Sequence, residues 1–543
     1  MANLNLQTTT PVPTLLTLPA EILIKISQNL CIHCRVPRIG EIPHDEVPTT
    51  KSPRRSPHDE VATAIHDQTA LANLSASSKH LRAVAQPILF HFFHSLAGQI
   101  DTRRCLASFI HTLFHRPDLA SSVKSLVLWT PDDDISRIPD EQIDALQIKD
   151  EDHTFARAAE RLGSWWVGRQ YGSLDELQEL AIALASRATY VLLQRKFVEG
   201  SPAKTWRDWS NWTHPMENLR HVVLVGWRYR WPRAWYYTYH IKEARAFLRH
   251  TRNLESLVAV DCGADGVGPF VVSGRDELKA LPWDVELPWL RKLSISGENV
   301  GVEEVEAIIR HSTVFEDLEL FHCQYHLGVE WRRDVLDLGR HLGTAKKTLK
   351  RLCYSAFPIK ATLRESDVCD EAYELSNSDD DEDYFDPTWH GLAGFKVGFS
   401  LKDFSALETL ELEQLVLYGP VFEEPDNVES DRSCKLVTTD EFLEKFPPSL
   451  MRLRMGCIFY WPIVFRDMLA IAEERARFPK LGSVTLEVRR IPPREEFDCL
   501  VETFRKAGIA LSICSVVRDP FSRGLLPTRP GFPVRLPEPV SYT

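Results

Sequence analysis

The residues near the start of the sequence best suited to chemistry are the two cysteines of CIHC, residues 31–34. Two thiolates at this spacing are half of many tetrahedral zinc sites, which need two more ligands at a fixed spacing. Histidines stand nearby at 33, 44, 58 and 66, but no second cysteine pair follows. A redox role would need a thioredoxin-like strand–helix–strand context, which the neighbouring sequence lacks. We therefore interpret Cys31 and Cys34 as reduced thiols at a helix end, and we predict no metal and no cofactor.

Two further patterns have residue types that can bind metals. His111 and His115 lie four apart in FIHTLFHRP, on one helix face, but the glutamate of a metalloprotease helix is not between them. The stretch DCGADGVG at 261–268 resembles a calcium loop, but Gly263 and Val272 occupy its third and twelfth positions, where oxygen ligands are required. The sequence also has no phosphate-binding loop and no nucleophile elbow. We predict that the protein is not an enzyme and has no catalytic residues.

An aromatic and basic segment, residues 206–239, is the most unusual part of the sequence, with TWRDWSNWTHP followed by GWRYRWPRAWYYTYH. Trp, Tyr and Arg dominate binding hot spots, and aromatic side chains also stack on single-stranded bases. Three interpretations remain open: packing over the body of the protein, contact with a protein partner, and contact with RNA. The candidate target-binding residues are Trp227, Arg228, Tyr229, Arg230, Trp231 and Trp235.

Composition narrows the choice of partner and compartment. The net charge of −12 over 543 residues argues against a general nucleic-acid binder, which is usually basic. Eleven scattered cysteines without a regular framework favour reduced thiols, and hence the cytoplasm, the nucleus or both. No run of eighteen apolar residues predicts a membrane span, and the first ten residues lack the basic start of a signal peptide. We therefore predict no membrane partner.

A short motif recurs along most of the chain: an apolar residue, two others, an apolar residue, one other and an apolar residue. Its nine copies begin at 123, 219, 254, 290, 315, 349, 407, 450 and 481, and intervals from the second copy onward run from 25 to 58 residues. The alternation predicts a short strand, and helix-like segments lie between the copies. Strand and helix in repetition predict an α/β solenoid, with parallel strands on one face and helices on the other.

Composition also divides the chain into segments. We predict a disordered start at 1–14, a helical module at 15–94 and a repeat array at 95–517, with insertions near 200–240 and 365–395. A Pro-rich insert at 35–68, in which PHDEV occurs twice, interrupts the module, and a Pro-rich tail occupies 518–543. The acidic run at 376–386 is interpreted as a solvated loop, with phosphorylation of Ser376 and Ser378 as the alternative.

The module resembles an F-box in LTLPAEILIKISQNL and, after the insert, ALANLSASSKHLRAVAQPILF. That family begins with Leu-Pro, an acidic residue and an apolar helix, and often precedes leucine-rich repeats. The whole chain is similar to the F-box proteins with divergent leucine-rich repeats that are common in filamentous fungi. The resemblance implies a helical F-box module followed by an irregular leucine-rich-repeat solenoid.

By the same resemblance, the protein would be the substrate receptor of a ubiquitin ligase of the Skp–cullin–F-box type. The module would bind a Skp-type adaptor, and through it a cullin–RING ligase, while the repeats would bind an unknown target protein. The residues that match the family's adaptor-binding positions are Leu18, Pro19, Ile22, Leu23, Ile26, Leu30, Leu71, Leu74, Leu81 and Leu89. The alternative is a repeat scaffold whose N-terminal helices only cap the solenoid.

Overall fold

A computed structural model gives the fold of the following residues: 15, 18–31, 34, 69–95, 101–128, 154, 157–158, 174–194, 215–226, 228–231, 234–237, 244–260, 283–297, 302–324, 342–358, 400–418, 438–458, 461–488 and 492–515. The predicted disordered start, the Pro-rich insert, the calcium-like stretch, the acidic run and the Pro-rich tail lie outside these residues. The chain divides into two compact units, the first comprising 1–192, 216–219 and 529–532, and the second comprising the remainder.

The first unit begins with helices. Helix α1, Ala20–Leu30, has Pro19 before it and Glu21 in its first turn, where a negative charge suits the helix dipole. Residues 69–77 are helical, and α2, Lys79–Leu89, starts at Ser78, whose hydroxyl accepts a hydrogen bond from the Leu81 N–H. The two helices are therefore separated at Ser78.

Helix α2 contains a proline. Pro87 lies inside the last turns of the helix, where the missing N–H removes one helical hydrogen bond. Ala85 and Ile88 on either side of Pro87 are buried, and the Phe90 N–H still bonds to the Gln86 carbonyl. Packing of these neighbours is sufficient to continue the helix to Leu89.

The rest of the first unit alternates strands and helices. Its elements are β1 (Phe92–His94), α3 (Asp101–His115), α4 (Pro117–Ala120), β2 (Ser125–Leu128), α5 (Leu174–Leu184) and β3 (Tyr190–Gln194), the last of which crosses the unit boundary. Strand β1 pairs in parallel with β2, and Phe93 lies opposite Leu126. Both β2 and β3 are buried along their whole length, as expected for parallel strands.

The second unit repeats the same order. Its strands are β4 (His221–Val225), β5 (Arg228–Trp231), β6 (Ala234–Tyr237), β7 (Ser256–Val260), β8 (Lys292–Gly297), β9 (Asp317–Gln324), β10 (Arg351–Pro358), β11 (Thr409–Glu413), β12 (Arg452–Ile458), β13 (Ser483–Val488) and β14 (Ala510–Ser515). Its helices are α6 (Arg245–Leu248), α7 (Val302–Arg310), α8 (Gln414–Tyr418), α9 (Thr439–Leu443), α10 (Trp461–Glu473) and α11 (Arg494–Ala507), with a 3₁₀ turn at Gly343–Ala345.

Among the described residues, twelve parallel strands follow one another in chain order within a single sheet, and β5 and β6 pair separately. Each copy of the motif aligns with the next: Leu257 lies opposite Leu293, Leu293 opposite Leu318, and Leu318 opposite Leu352. A recurring contact sets this register, because one carbonyl accepts two consecutive N–H groups from the next copy. The Arg291 carbonyl, for example, accepts from Glu316 N and Asp317 N, both at 2.9 Å. This order is consistent with a solenoid-like repeat.

All nine predicted strands are confirmed, and the apolar positions of the motif are buried in the core. Strands β1, β3 and β14 and the β5–β6 hairpin were not predicted. No helix among the described residues has the length and apolar character required to cross a membrane.

Candidate functional site

Helix α1 combines a buried side with exposed apolar residues. Leu23 is fully buried and Ser27 lies beside it, one turn along the helix. Ile22 and Ile24 remain 47% and 40% exposed, and Leu15, just before the helix, is exposed to a similar degree. Exposed isoleucines on a helix that is otherwise packed against its own unit offer apolar anchors to a partner.

The predicted adaptor-binding residues fall into three groups. Leu23, Leu71 and Leu81 are buried inside the unit, while Leu30, Leu74 and Leu89 pack on a core formed by Cys31, Leu71, Ala85 and Ile88. Leu18 and Ile26 are partly exposed, and Pro19 and Ile22 are exposed. Ile24 was not among the predicted residues, because sequence periodicity assigns a face to a residue and does not show how much of it stays uncovered.

The aromatic and basic segment contains the β5–β6 hairpin. Its antiparallel register pairs Arg228 with Tyr237, Tyr229 with Tyr236, Arg230 with Trp235 and Trp231 with Ala234. Five of the six candidate target-binding residues therefore lie on a two-stranded sheet, and Trp227 lies outside the described residues.

The strands of the second unit carry charged residues at positions that alternate with the buried apolar ones. Along the register, Lys292 of β8 lies opposite Asp317 of β9, and Asp317 lies opposite Arg351 of β10. In the next row, Glu319, Cys353, Glu411 and Arg454 lie on four consecutive strands. We give the name strand-face network to seven charged residues of this face: Lys292, Asp317, Glu319, Arg351, Glu411, Arg454 and Glu487.

Ion pairs connect this network across six strands. Lys292 Nζ lies 3.2 Å from Glu319 Oε1, and Arg351 donates both to Glu319 and, at 3.1 Å, to Asp317 Oδ1. The other end of the Arg351 guanidinium lies 3.2 Å from Glu411 Oε1. Because one guanidinium serves carboxylates on two flanking strands, Arg351 is the central cation of the network.

The remaining residues of the network also form ion pairs between neighbouring strands. Glu411 lies 3.5 Å from Arg454 Nη1, and Arg454 also binds Glu487. The network contains four carboxylates and three cations, and Arg452 of β12, in the same row as Arg351, adds a fourth cation to this part of the strand face.

Burial makes these contacts stronger than ordinary surface pairs. The Glu319 side chain is only 2% exposed. Burial alone would raise the pKa of Glu319, but Lys292 and Arg351 outweigh it and lower the pKa to about 2. Burial and the neighbouring Glu319 raise the pKa of Asp317, against the effect of the same two cations. Burial alone would lower the pKa of Arg351, but its three carboxylate neighbours outweigh burial and raise the pKa, so this cation stays charged.

The histidine pair and the cysteine pair lie in different surroundings. His111 and His115 are exposed on α3, with their rings 4.4 Å apart between centroids. Cys31 and Cys34 approach His91, which follows α2 and was not predicted as a neighbour of the cysteines. These three are the one group of potential metal ligands found among the described residues.

Comparison of the chain with protein-family models and with curated proteins finds no match. The function is therefore inferred from the residues and geometry of this chain. Its arrangement provides exposed apolar anchors on an N-terminal helix and a charged strand face on a repeat unit.

Proposed function

We propose that this protein is an adaptor-binding substrate receptor of a cullin–RING ubiquitin ligase. Its N-terminal helical module holds a Skp-type adaptor, and its repeats hold the target protein. The mechanism is proximity, because two binding surfaces on one chain bring a target lysine near a ubiquitin-loaded enzyme carried by other subunits. The F-box resemblance names the adaptor class, and the exposure of Ile22 on α1 is the structural observation that supports it most directly.

The anchoring of α1 supports a docking role. Leu23 is buried inside the unit and Cys31 at the helix end joins the core, so the helix is held in place without its exposed isoleucines. Ile22 can therefore meet a partner without any rearrangement of the helix, while Ile24, two residues along the helix, lies on a different side of it. A preorganised apolar surface loses less conformational entropy on binding than a disordered one.

Target binding is assigned to the second unit. Its strand-face network presents charges of both signs at fixed spacings, and such a surface favours a target whose charges are complementary in position. The β5–β6 hairpin adds arginine and aromatic residues, the types enriched in hot spots.

The test is coexpression of the full chain with a Skp-type adaptor, followed by measurement of the affinity. Ile22→Asp places a charge where an apolar contact is expected, and we expect the affinity to fall by about 30-fold or more, since a hot-spot loss is on the order of 2 kcal/mol or greater. Val501→Asp is the matched control, because Val501 is also an aliphatic residue on a helix and is 38% exposed.

Two results would contradict the proposal. One is the absence of adaptor binding by the folded wild-type chain, which would favour the repeat scaffold whose N-terminal helices serve as a cap. The other is equal weakening by Ile22→Asp and Val501→Asp, which would separate adaptor binding from the α1 surface. Circular dichroism of both variants ensures that a loss of binding is not a loss of folding.

A further inference from the structure

Three potential metal ligands meet where the first helix of the chain ends. Cys31 caps α1 at its C-terminus, and the Cys34 N–H bonds to the Cys31 carbonyl at 3.1 Å, which closes a turn between the two cysteines. His91 follows α2 and lies 57 residues from Cys34 in the sequence. Its carbonyl accepts hydrogen bonds from Lys124 N at 3.0 Å and Ser125 N at 2.9 Å, so the β1–β2 pairing fixes its backbone.

The spacing of the three side chains suits a tetrahedral cation. Cys34 Sγ lies 3.4 Å from His91 Nδ1, and the ligand atoms of all three residues lie within 4.8 Å of one another. With zinc–sulfur bonds of about 2.3 Å and zinc–nitrogen bonds of about 2.0 Å, ligands at tetrahedral angles are separated by roughly 3.5–3.8 Å. Movements of about 1 Å or less would therefore give the ligand separations of a zinc site.

The surroundings favour a site without net charge. Cys31 belongs to an apolar core with Leu71, Ala85 and Ile88, against which Cys34 also packs. A single buried charge is costly in such surroundings. Two thiolates, one neutral imidazole and one divalent cation sum to zero, so the metal-bound group is compatible with the apolar core.

We propose that Cys31, Cys34 and His91 bind one zinc ion, which links the end of α1 to the junction of α2 and β1. Binding forms two Zn–S bonds and one Zn–N bond, and each thiol releases its proton to water as its bond forms. His91 Nδ1 supplies the lone pair of the neutral ring, and a water molecule takes the fourth position. The site is structural in this proposal, and it does not depend on the ligase role.

The test uses the full chain, purified under reducing conditions and stripped of metal with a chelator. Titration with Co²⁺ replaces zinc by an ion whose thiolate absorption bands report sulfur ligation, and competition with Zn²⁺ then gives the zinc affinity. We expect one ion per chain. Cys34→Ser and His91→Ala should each weaken binding by about 100-fold or more, because even residues that only support metal ligands contribute 10- to 100-fold.

Two variants keep the result interpretable. Cys105→Ser removes an exposed thiol of α3 in the same unit, and it should leave the stoichiometry and the affinity unchanged. Cys34→His restores a nitrogen ligand and should recover binding that Cys34→Ser loses. The proposal is overturned if the folded, reduced chain shows no thiolate–cobalt absorption, or if Cys105→Ser and Cys34→Ser have the same effect. Rapid formation of a Cys31–Cys34 disulfide in place of metal binding would also overturn it.

Discussion

Replacement of Arg351 by methionine tests whether the strand-face network stabilises the second unit. Arg351 contacts three carboxylates, and methionine keeps much of its length without its charge. The variant leaves Glu319 with Lys292 as its cation and Glu411 with Arg454. We therefore expect a substantial loss of stability, but not the full loss that isolated buried carboxylates would produce.

The magnitude follows from distance and burial. A pair of opposite charges about 4 Å apart is worth roughly 4 kcal/mol at an effective dielectric constant of 20. Removal of one partner of a buried pair costs about 3–5 kcal/mol. Because each carboxylate keeps one other cation, we expect the free energy of unfolding to fall by about 3 kcal/mol, at the lower end of that range.

The loss should also depend on pH in a defined direction. The Glu319 carboxylate has a pKa of about 2 in the folded protein, below its ordinary value of 4.5, so its stabilisation is present above pH 4.5 and is lost as the pH falls towards 2. In the variant this pKa rises, and the carboxylate is protonated within that window. The difference between wild type and variant should therefore be largest at neutral pH and should shrink below pH 4.5.

Urea unfolding and hydrogen exchange of the β9 and β10 amides measure this loss, because urea does not screen charges. Arg505→Met is the control, since Arg505 pairs with Glu502 on the exposed face of α11 and its loss should leave stability unchanged. A double variant with Glu319→Gln should show a coupling of about 1–3 kcal/mol. The reasoning is refuted if Arg351→Met is no worse than Arg505→Met, or if its cost is the same at pH 3 and pH 7.

Two smaller predictions concern the backbone and a buried ring. Gly508 ends α11 with φ of 69°, so Gly508→Ala should lower the free energy of unfolding by about 1 kcal/mol. Gly482→Ala should be neutral, because an added Cβ would lie 3.8 Å from the Met451 carbonyl oxygen. Thermal unfolding compares the two variants. Burial lowers the pKa of His94 on β1 to about 4, below its ordinary 6.5. Between these two pH values the unfolded chain binds more protons than the folded one, so the first unit should lose stability as the pH falls from 6.5 to 4. His94→Phe should flatten that part of the stability profile, and an unchanged slope would show that another group is responsible.

The sequence predicts most of the parallel sheet because a single motif encodes both the buried positions and the register. Two of the missed strands lack its full apolar pattern, since β1 has Ser95 where the last apolar residue should be and Gly508 occupies the first position before β14. Strand β3 follows Ala188, which is smaller than the first residue of every predicted copy. In these strands, pairing with a neighbour replaces the side-chain pattern as the stabilising factor.

The candidate sites were less accessible from the sequence. The strand-face network joins Lys292 to Glu487, and each contact depends on strands that are far apart in the chain. Charged residues in alternation with apolar ones indicate a solvated strand face, and they do not indicate which charges will meet. His91 was missed for the same reason, since only the packing of α2 and β1 brings it to the cysteines.

The register of the sheet does not depend on the distance between motif copies. Across the longest interval from the second copy onward, the Lys350 carbonyl accepts from Glu408 N at 2.8 Å and Thr409 N at 3.0 Å, much as Arg291 does across the shortest. Closure of a loop twice as long costs only about 0.6 kcal/mol more. A gene encoding this chain can thus gain or lose whole segments between strands while the scaffold folds as before, so new binding specificities can evolve at little risk to the fold.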